Sequence, residues 1–170
     1  MTSSGGDFTL DRFQLEAIEH LDAGRSVLVA APTGSGKTVV AEHAIDRALS
    51  ERKRAFYTAP IKALSNQKYR DLSERIGSSR VGLLTGDNAI NADADIVVMT
   101  TEVLRNMLYE GRVLDDLAFV IMDEVHYLED TFRGPVWEEV MLHLPAHAKL
   151  VCLSATVSNT DELAGWIESI

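Results

Sequence analysis

Short apolar runs alternate along the chain with segments whose apolar positions recur at helical spacing. The segment ending before Gly24 shows the helical spacing, with Phe13, Ala17, Ile18 and Leu21 on one face. The predicted strands are 26–31, 54–59, 81–84, 95–99, 118–123 and 149–154. The predicted helices are 11–22, 37–50, 61–75, 101–109, 135–143 and 160–168.

This alternation predicts an α/β fold. Near-continuous apolar strands separated by helices are typical of a parallel sheet that is covered on both faces. We therefore expect three layers, with a mostly parallel central sheet flanked by helices. Residues 1–7, which are rich in Ser and Gly, are predicted to form a flexible tail, and residues 8–170 a single domain.

Polar clusters follow the predicted strands at the points where the strands end. In doubly wound sheets, ligands bind beyond the carboxyl ends of the strands. Six such clusters indicate a binding surface longer than one nucleotide needs, so we expect a second ligand there. The clusters are 33–38, 60–67, 85–87, 100–102, 123–126 and 154–156.

The first cluster has the pattern of a phosphate-binding loop. Residues 31–38 read Ala-Pro-Thr-Gly-Ser-Gly-Lys-Thr and follow an apolar run. The amides of a Gly-rich turn at a helix N-terminus attract phosphate oxygens, Lys37 can neutralise the β and γ phosphates, and the Thr38 hydroxyl can hold Mg²⁺. The common pattern begins with Gly where this chain has Ala31, so the prediction depends on the end of the loop and on the helix after it. The predicted nucleotide-binding residues of the loop are Pro32, Thr33, Gly34, Ser35, Gly36, Lys37 and Thr38.

The cluster at 123–126 supplies acidic groups at the end of an apolar strand. Asp123 is placed to bind, through water, the Mg²⁺ that Thr38 holds. Glu124 is the natural group to orient or deprotonate an attacking water. The alternative is an acidic strand end that only caps the next helix. The position of Asp123 and Glu124 on a parallel strand, well after a phosphate-binding loop in sequence, disfavours this alternative.

Histidines near this cluster have two interpretations. His126 is expected to link the nucleotide by hydrogen bonds to the strand end at Ser154; a packed or metal-bound histidine is the alternative. His143 and His147 stand four residues apart, but Pro145 between them breaks a helix, which disfavours a zinc site.

Composition restricts the remaining classes of function. With 170 residues, of which 46% are hydrophobic, the chain can bury one sizeable core. A net charge of -10 argues against binding nucleic acid by bulk electrostatics, although local phosphate contacts remain open. The single cysteine, Cys152, lies in an apolar run and is most simply a buried core thiol. The first residues lack the features of a signal peptide and no apolar run has membrane-spanning length, so we expect a soluble cytoplasmic protein.

These motifs, in this order and spacing, resemble those of superfamily 2 DExH-box helicases. Residues 31–38, 123–126 and 154–156 resemble motifs I, II and III of that superfamily. The segment Arg-Gly-Pro-Val-Trp-Glu-Glu at 133–139 and the segment Leu-Ser-Ala-Thr-Val-Ser-Asn at 153–159 resemble the Ski-like branch of RNA helicases, especially its actinobacterial HelY-type members. The resemblance implies a RecA-like P-loop NTPase fold and a helicase that uses ATP and Mg²⁺.

The resemblance also implies roles for individual residues. Phe8 would stack on adenine, and Gln14 would form hydrogen bonds with the edge of that base. From the residues alone, Gln14 is more simply an exposed helix residue. In the family, segments like those at strand ends touch the backbone of one nucleic-acid strand, which suits hydroxyls and helix N-termini. The residues so implied are Pro60, Lys62, Ser65, Asn66, Thr85, Gly86, Thr100, Thr101 and Arg105. Ser154, Ala155 and Thr156 would couple the two sites, whereas Thr131-Phe132 departs from the usual charged residues of the branch and weakens the case for contacts there.

By the same resemblance, the chain is the first of two RecA-like domains. The second would supply an arginine finger, so we expect these residues alone to be inactive or very weak. The implied partner is single-stranded RNA, with 3′-to-5′ movement. Three alternatives stay open: a DNA helicase of the related Hel308-like kind, an ATP-responsive binding module without turnover, and a small-molecule kinase, which would leave the clusters at 60–67 and 100–102 without a role.

Overall fold

The structure is a computed structural model that describes residues 12–31, 36–111, 114–123, 140 and 142–154, together with the backbone of 166–169. Within these residues lie eight strands, four α-helices, a short 3-10 helix at Ser78–Arg80 and further helical residues at 140 and 142–143. The strands are β1 (Val27–Ala30), β2 (Arg54–Ala59), β3 (Val81–Leu84), β4 (Ala89–Ile90), β5 (Ile96–Thr100), β6 (Leu117–Met122), β7 (Lys149–Ser154) and β8 (Trp166–Ser169). The helices are α1 (Arg12–Asp22), α2 (Thr38–Ser50), α3 (Lys62–Ile76) and α4 (Thr101–Tyr109).

All the described strands belong to one sheet, in the order β4-β3-β5-β2-β6-β7-β1-β8. The six strands from β3 to β1 in this order run parallel to one another. The outermost strands, β4 and β8, pair antiparallel with their neighbours. The predicted strands 54–59, 81–84 and 149–154 have the predicted bounds, and the other three differ by one residue at each end. The prediction of a mostly parallel α/β sheet is confirmed.

Two apolar clusters, one on each face of the sheet, form the core. One packs helix residues such as Leu21 and Ile45 against strand residues such as Val98 and Ile121. The other packs Leu104 of α4 against strand residues of the opposite face. Because successive side chains of a strand point to opposite faces, each parallel strand contributes to both clusters. The three-layer arrangement is thus confirmed.

The predicted helix at 160–168 is wrong where the structure describes it. Trp166–Ser169 form β8, which pairs antiparallel with the whole length of β1, from Ala30 opposite Trp166 to Val27 opposite Ser169. Without β8, β1 would present an unpaired row of backbone donors and acceptors at the sheet edge. This pairing is a tertiary interaction, and it overrides the local helical pattern.

Other predictions from the sequence have different outcomes. Cys152 is fully buried in β7, and burial raises the pKa of its thiol to about 12, as expected for a core cysteine. Val140 and residues 142–143 are helical, in agreement with the predicted helix 135–143, most of which lies outside the described residues. The tail at 1–7 also lies outside them. Among the described helices, none has the length and apolar character needed to cross a membrane.

Candidate functional site

The carboxyl ends of the six parallel strands lie along one edge of the sheet, and their order divides that edge into two halves. The strands β6, β7 and β1 are neighbours. Strand β6 ends just before Asp123, β7 ends at Ser154, and β1 ends before the loop that contains Gly36. We call this the nucleotide half. The strands β3, β5 and β2 are also neighbours and end at the segments that resemble nucleic-acid contacts. We call this the nucleic-acid half, and it meets the nucleotide half where β2 pairs with β6.

The described end of the phosphate loop is held by two side chains. The Gln14 amide donates from Nε2 to the Gly36 carbonyl at 2.9 Å, and the Lys37 ammonium donates to the Ala31 carbonyl at 2.7 Å. Gly36 has a φ of +92°, which disfavours any residue with a Cβ, and a Cβ there would also collide with the Gln14 amide. The backbone conformation therefore favours glycine at this position, and a residue with a Cβ would also displace the Gln14 amide.

Gln14 is a buried residue of this site. Only 3% of it is exposed, so the interpretation of Gln14 as an exposed helix residue is wrong. The hydrogen bond from its side-chain amide to the Gly36 carbonyl connects α1 with the phosphate loop across 22 residues of sequence. Its contact with adenine stays a prediction, as does that of Phe8, which lies outside the described residues together with 32–35.

The start of α2 suits an anion. Thr38 is its first residue and is exposed, and the N-cap Lys37 makes no side-chain capping bond. The first turn of α2 contains no carboxylate that would repel a phosphate. Because the N-terminal end of a helix carries a partial positive charge, these features favour a phosphate at this position.

Asp123 is held by two consecutive residues of β2. Its backbone N–H donates to the Thr58 carbonyl at 2.9 Å, and the Tyr57 hydroxyl donates to its Oδ2. Thr58 in turn donates from its hydroxyl to the Ile121 carbonyl at 3.0 Å. The Asp123 carboxylate thus occupies a fixed position at the tip of β6.

Strand β7, which lies between β6 and β1, completes the described part of the nucleotide half. The Ser154 carbonyl at the end of β7 accepts a bond from the Ala31 amide at 3.1 Å, which ties the start of the phosphate loop to β7. Glu124, His126, Ala155 and Thr156 lie outside the described residues, so their roles stay predictions. The same holds for residues 131–139.

In the nucleic-acid half, the start of α3 is connected to the turn after β3. Lys62, the first residue of α3, forms an ion pair with Asp87, and both side chains are largely exposed. The Thr85 hydroxyl accepts bonds from the amides of Asp87 and Asn88 at 3.3 and 3.1 Å, which shapes that turn. Gly86 lies in this turn and is exposed.

The residues predicted to contact nucleic acid differ in exposure. Ser65 and Thr101 are buried, and the Ser65 hydroxyl donates to the Ile61 carbonyl at 3.2 Å. In this structure both side chains serve packing, and their nucleic-acid contact stays a prediction. Partly or fully exposed side chains at the same edge are Pro60, Lys62, Asn66, Thr100 and Arg105.

Two residues of this edge were not predicted from the sequence. Tyr57 holds Asp123, and Lys68 places its ammonium 5.1 Å from the centre of the Tyr57 ring. Asp87 belongs to the predicted cluster 85–87, but its ion pair with Lys62 was not predicted. A signal existed for Tyr57, because a tyrosine in an otherwise apolar buried strand needs a hydrogen-bond partner for its hydroxyl. No local signal could have found Lys68, since its contact with Tyr57 depends on how α3 packs against β2.

The two histidines four residues apart have separate partners. The rings of His143 and Tyr109 pack with centroids 5.4 Å apart. His147 lies with Nε2 2.8 Å from the Leu114 carbonyl. These contacts join the helical residues near Val140 and the start of β7 to their neighbours in the α4 layer.

Comparison with known proteins identifies relatives that align with almost the whole chain. The chain is 57% identical over 164 residues to the probable helicase HelY of Mycobacterium leprae, and 52% identical over 164 residues to the ATP-dependent RNA helicase mtr4 of Schizosaccharomyces pombe. Each alignment covers 96% of this chain but only 18% and 14% of the relative, so the chain spans less than a fifth of their length.

A solved structure shares the fold. The crystal structure of the DUF1998 helicase MrfA bound to DNA and AMPPNP superimposes with a TM-score of 0.67 over 90% of this chain and 25% of that chain, at 22% identity. The family profile of the DEAD/DEAH box helicases matches residues 11–163. The chain therefore belongs to the DEAD/DEAH box helicase family and is a helicase domain similar to those of the Ski2, Mtr4 and HelY proteins.

Proposed function

We propose that the chain binds Mg-ATP at its nucleotide half and single-stranded RNA at its nucleic-acid half, as the first RecA-like domain of an ATP-dependent RNA helicase. One observation supports this proposal: the six parallel strands, which the motif residues follow in sequence, end along one continuous edge of the sheet, with three neighbouring strands in each half. A nucleotide and a nucleic-acid strand bound there would be separated only by the boundary between β2 and β6.

The nucleotide half offers a separate group for each task. Lys37, which in this structure bridges to the Ala31 carbonyl, would turn its ammonium to the β and γ phosphates. Thr38 and Asp123 offer hydroxyl and carboxylate oxygens, the donors that Mg²⁺ prefers, and Mg²⁺ bound there would neutralise phosphate charge. Glu124, next to Asp123 in sequence, would accept the proton of the attacking water.

The nucleic-acid half suits recognition of a sugar-phosphate backbone. Lys62 and Asn66 on α3 and Thr100 before α4 offer a cation, an amide and a hydroxyl to phosphates. Such contacts hold a strand without reading its sequence, and they allow a domain with a net charge of -10 to bind RNA locally. RNA is favoured over DNA because mtr4, 52% identical, is named an RNA helicase.

A second RecA-like domain would complete the enzyme. The relatives are more than five times as long as this chain, which leaves room for that domain and its arginine finger. Because an arginine finger contributes about 10³–10⁵ in rate, we propose that these residues alone bind ATP but hydrolyse it very slowly. We further propose that the helicase is cytoplasmic and moves 3′ to 5′ on its strand.

Calorimetric titration with ADP and Mg²⁺ tests the nucleotide site. Lys37→Ala should weaken binding by about 10- to 100-fold, because a hydrogen bond from a charged donor contributes about 1.5–3 kcal/mol. Lys53→Ala is the matched control, since Lys53 is an exposed lysine that precedes β2 at the opposite edge of the sheet. Equal affinity of both variants and the wild type would refute the site.

Phosphate release by the intact protein tests the substrate. We expect single-stranded RNA to stimulate ATP hydrolysis more than single-stranded DNA of the same sequence. Stronger stimulation by DNA would favour the DNA-helicase alternative. Binding of ATP without hydrolysis under any of these conditions would favour the binding module.

A further inference from the structure

The boundary between the two halves of the site is formed by β2 and β6, and a contact between two side chains crosses it at the ligand edge. Tyr57 belongs to β2, in the nucleic-acid half, and Asp123 directly follows β6, in the nucleotide half. The Tyr57 hydroxyl donates to the Asp123 carboxylate. The proposed metal ligand of the nucleotide half is therefore held from the other half.

Tyr57 is suited to fix the orientation of that carboxylate. Its ring is part of the core, with 1% of the residue exposed, so the hydroxyl cannot move far. The bond occupies Oδ2, and the Asp123 amide is bound to the Thr58 carbonyl at 2.9 Å. With backbone and one carboxylate oxygen both held by β2, the direction of Oδ1 is determined as well, because a carboxylate is planar.

Lys68 adds a charge to this contact. Its ammonium lies 5.1 Å from the centre of the Tyr57 ring, within the range of a cation–π interaction. A cation over the ring withdraws electron density from the phenol, which makes the hydroxyl a stronger donor to a carboxylate. Lys68 belongs to α3, whose first residue Lys62 lies in the nucleic-acid half.

We propose that Tyr57 is a positioning residue for Mg²⁺ binding, acting through Asp123, and that Lys68 reinforces it. This inference rests on the proposed Mg-ATP site. Hydrogen-bond partners of metal-binding groups are known to matter, since their loss typically lowers metal affinity 10- to 100-fold. Tyr57 is such a partner, and it reaches the metal ligand from the strand that leads into α3.

The test compares Tyr57→Phe with the wild type in the intact protein. ADP affinity is titrated at increasing Mg²⁺ concentrations and again with chelator present. We expect the Mg²⁺ concentration that gives half of the maximal increase in ADP affinity to rise about tenfold in the variant. This factor is at the lower end of the usual range because only one neutral donor is lost. Metal-free ADP affinity should not change. The electron paramagnetic resonance spectrum of Mn²⁺ bound with ADP should show a parallel loss of affinity.

Two further variants make the result specific. Tyr69→Phe removes a hydroxyl from the same helix layer and should leave the Mg²⁺ dependence unchanged. Lys68→Met keeps the aliphatic stem but removes the ammonium, so it should shift the Mg²⁺ dependence in the same direction by a smaller factor. It also tests the contact should Tyr57→Phe fold poorly.

The outcomes separate this inference from the proposed function. If the wild type binds no ADP with Mg²⁺, the nucleotide site itself is refuted. If the wild type binds ADP and both Tyr57→Phe and Lys68→Met keep its Mg²⁺ dependence, only the positioning role is overturned. Equal losses of ADP affinity with and without metal would also overturn it, since they would indicate a general structural role.

Discussion

Gly36 and Gln14 should be energetically coupled, and a pair of substitutions can measure that coupling. Gly36→Ala places a Cβ on a backbone with a φ of +92° and directly against the Gln14 amide. The amide must then move away from the Gly36 carbonyl to which it now donates at 2.9 Å. Gln14→Ala removes the same hydrogen bond and also removes the atoms that the new Cβ would meet.

The magnitudes follow from these two contributions. A residue with a Cβ at positive φ costs about 1–3 kcal/mol. Loss of the hydrogen bond to the partly buried Gly36 carbonyl costs up to about 1–3 kcal/mol. Gly36→Ala should therefore lower the free energy of unfolding by about 2–6 kcal/mol and Gln14→Ala by at least the second amount. Because the double variant loses the bond only once, its cost should fall about 1–3 kcal/mol below the sum of the single variants.

Urea unfolding of this chain, followed by circular dichroism, measures the three variants against the wild type. Gly24→Ala is the matched control: its φ is +82°, but nothing lies within 4 Å of an added Cβ. Combined with Gln14→Ala, it should be additive to within about 0.5 kcal/mol, as distant sites usually are. Additivity of the Gly36 pair to the same degree would refute the contact between the loop and α1.

Three further predictions concern catalysis, nucleic-acid binding and pH. In the intact protein, Glu124→Gln should keep ADP affinity and lower the rate of phosphate release by about 10²–10⁴, since an amide accepts no proton; a rate within a few-fold of the wild type would assign Glu124 another role. Asp87→Asn should free Lys62 and raise the affinity for single-stranded RNA up to about fivefold, because an exposed ion pair contributes at most about 1 kcal/mol. An equal gain in the control Asp71→Asn would show that the change in net charge alone causes the effect. Burial raises the pKa of the Cys152 thiol from 9.0 to about 12, so the thiol deprotonates first in the unfolded chain and stability should fall as pH rises above 9. Urea unfolding should show a loss of about 1.4 kcal/mol per pH unit that Cys152→Ala lacks, and identical slopes would contradict it.

The parts of the fold that the sequence predicted well are those whose pattern needs no distant partner. Each residue of β6, Leu117–Met122, is buried, and a run of that kind is recognisable wherever it lies. The bounds of α4, Thr101–Tyr109, follow from its own apolar face and from the strand that ends just before it. The strand order was not predictable in this way, because it depends on which parallel strands meet after the chain crosses the sheet.

The errors and omissions of the prediction arise where the structure of a segment depends on a partner far along the chain. Trp166–Ser169 are a strand because β1 offers an open edge more than 130 residues earlier. Gln14 is buried and donates to the Gly36 carbonyl, 22 residues further along the chain, and nothing within α1 indicates this contact. For the same reason the motif residues were identified from their pattern, whereas the contacts that hold them, such as that of Tyr57 with Asp123, required the structure.

The pairing of β2 with β6 determines how the two halves of the site could communicate. From Ala55 to Thr58 the register between these strands is regular, and the irregularity lies at the other end, between Arg54 and Ala55. A regular ladder of backbone hydrogen bonds keeps the two carboxyl ends in fixed register. In the described part of the sheet, a displacement of α3 by a bound strand would thus reach the nucleotide half through side chains that cross the boundary, not through sliding of the strands. The contacts from Lys68 to Tyr57 and from Tyr57 to Asp123 cross this boundary. Communication between the two halves should therefore be visible in the metal dependence of nucleotide binding.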